Sequence, residues 1–406
     1  MADFEKAIND AIAAEEIPGC AVLATNRDGT FKYSKAFGKV SMKPENNKPM
    51  QLDTVMWIAS CTKLMTSISA MQLVERGVIS LDDPVYKHIP ELESRTVIKG
   101  FTDAGAPIEE KHTKPITLRH LLSHSSGLGY EFINPVIEAW LKYHNRPSAS
   151  SGSVSERFFY PLTFEPGESW AYGVGIDYAG LLIERATGQS LEDYMKANLW
   201  GPLGIKDMTF FPSKRPDLAA RMADMTARDP ASGKLVDFAA PLPVHDSEGK
   251  EVTSCFGGQG VYASMEEYAK VLKALLEADQ GGEGKILKKE SVEELFKAQL
   301  GDKSREALMA VLENKEAFNP MGGLPFGVPK DHTLAGIVLL DDGSNGYKAG
   351  TVIWGGYPNI IWWVDRKTGL CGIYGGQVVP PGDVKVGGLQ LKFEAAMYER
   401  LAKERA

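Results

Sequence analysis

At 406 residues the chain is long enough for two substantial folding units, or for one large unit carrying an insertion. Hydrophobic residues make up 43% and charged residues 24%, the ordinary balance of a soluble globular enzyme. A formal net charge of -8 with no basic stripe argues against a nucleic-acid partner, and no apolar run approaches the roughly 20 residues that span a bilayer.

The amino terminus reads as a helix and not as a secretory signal: Phe4, Ile8, Ala11 and Ile12 share one face, and Asp3 suits the cap. Pro18-Gly19 opens an apolar run, Asn26-Arg27-Asp28-Gly29 marks a turn, and residues 31–37 read as the returning strand. The run Val55-Met56-Trp57-Ile58-Ala59 leads directly into Ser60-Cys61-Thr62-Lys63. Behind it Leu64, Ile68 and Met71 recur at helical spacing, and Gly77 offers a stop. On a helix, residues i and i+3 share a face, so the Lys63 amine can reach the Ser60 hydroxyl at the helix start. A serine is a poor nucleophile until a neighbour takes its proton, and a lysine can do so once burial lowers its pKa. The spacing suggests covalent acyl transfer. It recurs at Ser247-Glu248-Gly249-Lys250, inside a polar turn with no helix behind it, so context has to distinguish the two. Cys61 turns about 100° away from the shared face and reads as a packing residue.

From about 80 to 330 the pattern is mostly helical, broken by Pro and Gly loops, with loops also expected at 148–153 and 281–284. His120 and His124 stand four apart, a metal-type spacing, but no third ligand accompanies them and both read as structural. Tyr172 follows Pro166-Gly167-Glu168-Ser169-Trp170-Ala171 and precedes an apolar helix closed by Gly188, where a phenol can project into a cleft. Residues 336–340, 347–353, 359–364 and 370–374 read as successive strands. A closing helix carries Leu389, Phe393, Ala396 and Met397 on one face. Consecutive glycines in Trp354-Gly355-Gly356-Tyr357 mark a close approach to another backbone or a ligand. An edge strand there would supply half of an oxyanion hole, with the Ser60 N–H as the other half. Tyr130, Phe132, Trp354 and Tyr357 are candidates for the wall of an acyl or polyketide pocket, whereas Trp363 is expected in the core.

The expected fold is α+β: an antiparallel sheet from residues 1–80 and 331–406, flanked by helices, with 81–330 as a mainly helical insertion. Cys20, Cys61, Cys255 and Cys371 show neither metal spacing nor a disulfide framework, so a reducing, cytoplasmic location is expected. No Gly-x-Ser-x-Gly elbow supports an α/β-hydrolase triad.

Ser60-Cys61-Thr62-Lys63, Tyr172 and Trp354-Gly355-Gly356, in this order across essentially the whole chain, resemble the serine β-lactamase and penicillin-recognising superfamily. The nearest branch is that of class C-type esterases and transesterases. Leu121-Leu122-Ser123-His124-Ser125-Ser126-Gly127-Leu128 is similar to the family's Leu-Leu-Thr-His-Thr-Ser-Gly-Leu, and the stretches 202–209 and 256–264 add to the likeness. Two departures stand out. Val174 occupies the position of an asparagine, and Trp354-Gly355-Gly356 replaces Lys-Thr-Gly. The literal Lys367-Thr368-Gly369 reads as a hairpin turn. The stretches 116–122, 201–205, 255–260, 101–105 and 357–362 are further similar to a fungal acyltransferase that moves an acyl group from a polyketide synthase carrier protein to a polyketide alcohol.

The resemblance implies a β-lactamase-like fold with Ser60 as nucleophile and Lys63 and Tyr172 sharing its protons, the choice of base left open. The Ser60 and Tyr357 N–H groups would form the oxyanion hole, with Tyr130, Phe132, Trp354, Gly355 and Gly356 contacting substrate. The implied reaction is acyl transfer from a carrier-protein or coenzyme A thioester to a small polyketide-type alcohol of secondary metabolism. No cofactor, metal, nucleic acid or membrane is implied. Two alternatives are a carboxylesterase using the same machinery and a non-catalytic binding module on the same fold.

Overall fold

Strand-forming segments near both chain ends meet in one seven-stranded antiparallel sheet. In the computed structural model, which describes residues 3–149, 151–238, 240, 242–246, 248–278, 286–313 and 324–405, β1 (Gly19–Asn26) and β2 (Lys32–Gly38) come from the amino-terminal side. The carboxy-terminal side adds β3 (Lys330–His332), β4 (Ile337–Leu339), β5 (Val352–Gly356), β6 (Ile360–Asp365) and β7 (Leu370–Gly375). The order is β3-β4-β5-β6-β7-β1-β2. Every residue of β6 and β7 is buried, which is why their apolar runs show no alternation: both sheet faces are covered. At the margin, β2 exposes Lys32, Ser34 and Lys35, and charged side chains protect such an edge against further pairing.

The two coverings follow from the pleat. A Cβ on Gly375 would strike Met265 of α4 (Met265–Ala278). Gly372, three residues away and so on the opposite face, lies under Trp363, which packs on Phe393 of α5 (Val384–Arg405). Phe393 also meets Phe4 of α1 (Asp3–Ala13). After Ser60 the chain enters α2 (Thr62–Glu75), whose residues from Thr62 to Leu73 are buried on every side. Three of its polar side chains bond to the chain around it, while Ser67 Oγ and Gln72 Oε1 find no partner among the described residues. Thr62 Oγ1 accepts from Val261 N at 3.1 Å, Thr66 Oγ1 donates to Gly257 O at 2.7 Å, and Gln72 Nε2 donates to the carbonyls of Asn198 and Ile286 at 2.9 Å each. The segment 257–261 is thereby fastened along the helix that starts beside Ser60.

Two expectations need correction. Residues 347–351 are a turn and not strand: Thr351 N bonds Lys348 O at 2.9 Å, and Gly350 takes a left-handed φ of 92°. The strand begins at Val352, so β5 is interior and not an edge. Its pairing with β4 nevertheless stops at Ile353, which leaves Trp354, Gly355 and Gly356 unpaired on that side. The stretch expected to be mainly helical also contributes to three small sheets. Val55–Trp57 joins Met208–Thr209 and Tyr262–Ser264, while Val378–Val379 joins Thr226–Arg228 and Leu235–Asp237. Thr96–Phe101 pairs with Pro107–Lys111.

Lys367-Thr368-Gly369 is the β6–β7 hairpin turn, with Asp365 accepting from the backbone of Lys367 and Thr368 at 3.0 Å each. The expected loop at 281–284, Ser150 and Ser247 lie outside the described residues. All four cysteines are buried and unbridged. Among the described residues no helix is long and apolar enough to cross a membrane.

Candidate active site

Ser60 sits in a tight turn, Ala59–Cys61, that feeds into α2. Ala59 adopts a left-handed φ of 45°, a conformation that costs a non-glycine residue about 1–2 kcal/mol. Packing holds it there. Ile58 N bonds Val261 O at 3.0 Å, and a Cβ on Gly356 would lie 2.4 Å from Ile58 O. The unpaired end of β5 therefore abuts the serine turn backbone to backbone, as the double glycine suggests. Tyr357, the next residue, borders the same cavity as Ser60.

Three functional groups converge there. Lys63 is 1% exposed, and its Nζ lies 3.2 Å from Ser60 Oγ. Tyr172 Oη donates to Ser60 Oγ at 2.5 Å. The phenol is held by the loop before α3 (Gly175–Thr187), where Ala171 N bonds His124 O at 3.1 Å and Tyr130 N bonds Tyr172 O at 3.2 Å. Gly173 permits that approach, since a Cβ would fall 1.9 Å from Leu128 O. A cavity of about 800 Å³ opens over Ser60 and Tyr172, with Lys63 buried behind them, and its wall includes Trp57, Tyr130, Phe132, Trp354 and Tyr357. Phe132 is 59% exposed at its rim.

Tyr130 has a second position in the site that its sequence does not suggest. Its ring borders the cavity, but its hydroxyl accepts from Lys63 Nζ at 3.1 Å and donates to Asp177 Oδ2 at 3.1 Å. Asp177, fully buried, also accepts from Gly258 N at 2.9 Å, and the Gly258 carbonyl accepts from Lys63 Nζ at 2.7 Å. Neither Asp177 nor Gly258 stands out as functional from sequence. The available hints are a carboxylate in the first turn behind Tyr172 and the Gly257-Gly258 pair. Two further groups in the cavity wall carry no sequence signal, Arg157 and Glu131, 7% and 8% exposed. The Arg157 guanidinium lies over the Phe256 ring at 5.2 Å and donates to His245 O at 3.1 Å. Among the described residues its Nε has no acceptor and Glu131 Oε2 no donor.

Burial sets the charges. It pulls the Lys63 amine down to about 7 against the opposing attraction of Asp177. Burial also pushes the Tyr172 phenol above its ordinary value, with the Ser60 bond acting the other way. The two histidines separate: His120 Nδ1 accepts from Thr117 N at 3.3 Å as part of a helix cap, while His124 is buried against Tyr172 with ring centroids 4.8 Å apart. Among the described residues no group of three His, Cys, Asp or Glu side chains could hold a metal ion.

The family model described as Beta-lactamase matches residues 4–395. The chain belongs to the beta-lactamase family. It is 38% identical to monacolin J acid methylbutanoyltransferase of Aspergillus terreus, over 97% of this chain and 95% of that protein. It is 37% identical to lovastatin esterase of Penicillium rubens, over 92% of each. A mutant of simvastatin synthase from Aspergillus terreus superposes with a TM-score of 0.90 at 37% identity, covering 98% of this chain and 95% of that one. Within the beta-lactamase family, this site is apolar at the two points of departure. Val174 is fully buried at the start of α3, and the Trp354 ring packs on Tyr172 with centroids 5.3 Å apart.

Proposed function

We propose that the chain is a serine-dependent acyltransferase. It moves an acyl group from a carrier-protein or coenzyme A thioester, through an acyl-enzyme on Ser60, to the hydroxyl of a polyketide-type small molecule of secondary metabolism. The observation that carries this reading is the placement of Ser60 Oγ between Tyr172 Oη at 2.5 Å and Lys63 Nζ at 3.2 Å, beneath a largely apolar cavity. Ser60 Oγ attacks the thioester carbonyl carbon while its proton passes to Lys63. The C–S bond then breaks, and the leaving sulfur takes a proton from the Lys63–Tyr172 pair. In the second half the acceptor hydroxyl loses its proton to the same pair, attacks the ester carbon, and Ser60 leaves with a proton restored. The opposite displacements of the two pKa values favour Lys63 as the base and Tyr172 as the neutral phenol that relays. The backbone N–H groups of Ser60 and Tyr357 would face the developing oxyanion.

The acceptor reading draws on the cavity. Apolar walls suit a hydrocarbon ring system, and the buried Arg157 offers a charge-assisted donor to an acid group, the kind of acceptor named for the Aspergillus terreus relative. The similarity to lovastatin esterase keeps hydrolysis in view, with water as second substrate. Incubation with an acyl thioester and a carboxylate-bearing polyketide alcohol separates the two readings. Transfer predicts that ester exceeds free acid at saturating alcohol, and a dominant free acid would make the protein an esterase. No consumption of thioester at all would leave only a binding module.

A further inference from the structure

Asp177 bonds to neither Ser60 nor Lys63, yet its position decides which way the surrounding protons point. An ionised carboxylate only accepts, so the single proton of Tyr130 is committed to Asp177 Oδ2 at 3.1 Å. The Tyr130 oxygen is then left to accept from Lys63 Nζ at 3.1 Å. The Gly258 carbonyl, 2.7 Å from the same nitrogen, also can only accept, and the same residue is anchored on its other side by Gly258 N donating to Asp177 Oδ1 at 2.9 Å. Two hydrogens of the amine are thus assigned. The remaining position faces Ser60 Oγ at 3.2 Å, and in a neutral lysine that position is the lone pair. Tyr172 already donates to Ser60 Oγ, so the serine proton is directed to Lys63. The packing leaves no slack: a Cβ on Gly258 would lie 2.4 Å from Asp177 Oδ2 and 2.8 Å from Tyr130 Oη.

We propose that Asp177 is a positioning residue that aims the Lys63 lone pair at Ser60, acting through the Tyr130 hydroxyl and the backbone of Gly258. The proposal rests on the reading of Ser60 as the acylated nucleophile and Lys63 as its base. The other titratable groups acting on Lys63 are Cys61, Tyr172, Tyr130, His124 and His332. Burial keeps the thiol and phenols protonated and the imidazoles neutral. Burial pushes the Asp177 carboxyl up, while Lys63, the Gly258 N–H, the Tyr130 hydroxyl and Arg157 all favour its carboxylate form.

The test is the acylation burst with p-nitrophenyl butyrate as a function of pH, in the wild type, Ser60→Ala, Asp177→Asn, Tyr130→Phe and the Asp177→Asn/Tyr130→Phe double variant. Asparagine must point its oxygen at the Gly258 N–H and its amide at Tyr130. Tyr130 then turns its proton onto the Lys63 lone pair, and acylation slows about 100-fold. Its acid limb moves to lower pH, because the carboxylate that favoured the ammonium form is gone. Removing the Tyr130 hydroxyl frees the lone pair, so the double variant is faster than Asp177→Asn by about tenfold. Near-wild-type acylation in Asp177→Asn, or a double variant no faster than it, overturns the proposal. Should Asp177→Asn give no cooperative melt, Tyr130→Phe decides alone: its acid limb drops because the ammonium loses an acceptor, and an unmoved limb counts against the role. Failure of the underlying reading looks different, since the wild type would show no burst or Ser60→Ala would retain it.

Discussion

In the proposed reaction Lys63 carries the proton chemistry, because the fold removes it from water. With its amine pulled down to about 7 by burial, a large share is neutral near neutrality, whereas an exposed lysine titrates at about 10.4. The sign of the pH effect follows. Only the neutral amine can accept the Ser60 proton, so acylation should rise with pH through about 7 and fall on the acid side. Burst kinetics across pH measure this limb, and one near 10 would show that Lys63 titrates as a solvated lysine and is not the base. Lys63→Met should slow acylation by about 100- to 10,000-fold at every pH. At this scale the sequence is legible where partners are close in the chain. Ser60 and Lys63 are marked by their spacing together with the apolar run before them and the helical pattern behind, context that the same spacing at 247–250 lacks. Tyr130, Asp177 and Gly258 do not, because the fold joins Tyr130 to Asp177 across 47 positions and Asp177 to Gly258 across 81.

The elements matter through one contact, the end of β5 against the serine turn. Gly356 is the residue that permits it, since an added Cβ would meet Ile58 O at 2.4 Å and Cys61 Sγ at 3.4 Å. Gly356→Ala should push the strand end and the Tyr357 amide away from Ser60. Loss of one oxyanion donor costs about 100- to 1,000-fold in rate, so the turnover number should fall on that scale while the protein still melts cooperatively. A variant with near-wild-type turnover would remove the β5 end from the oxyanion hole. Element boundaries were only partly readable in the sequence. The continuous apolar runs of β6 and β7 announce buried strands, and Trp354-Gly355-Gly356 announces a close approach. The turn at 347–351 hides behind strand-forming residues, Tyr347 and Thr351, on either side of Gly350. The polar residues of α2 give no sign that the helix is buried all round, because Thr62, Thr66 and Gln72 Nε2 bond to distant backbone. The short strands Met208–Thr209 and Val378–Val379 hold too few residues to show any period.

At the scale of the molecule, the sheet and α2 bring together segments from the start, middle and end of the chain, and the three active groups depend on that assembly. The family match over residues 4–395 and the TM-score of 0.90 describe a shared frame, and in the proposed reaction the cavity wall selects what receives the acyl group. The wall's apolar surface and its buried Arg157 suit an acidic polyketide alcohol better than water, which is why transfer is expected to outrun hydrolysis. Beneath that choice lies one claim, that Ser60 becomes acylated. Incubation with an acyl thioester, followed by fragment-mapped mass spectrometry of the peptide that holds both Ser60 and Cys61, tests it most directly. The account predicts one acyl group on Ser60, absent from Ser60→Ala and discharged when the acceptor alcohol is added. An unmodified peptide, or an acyl group carried by Cys61, would contradict it.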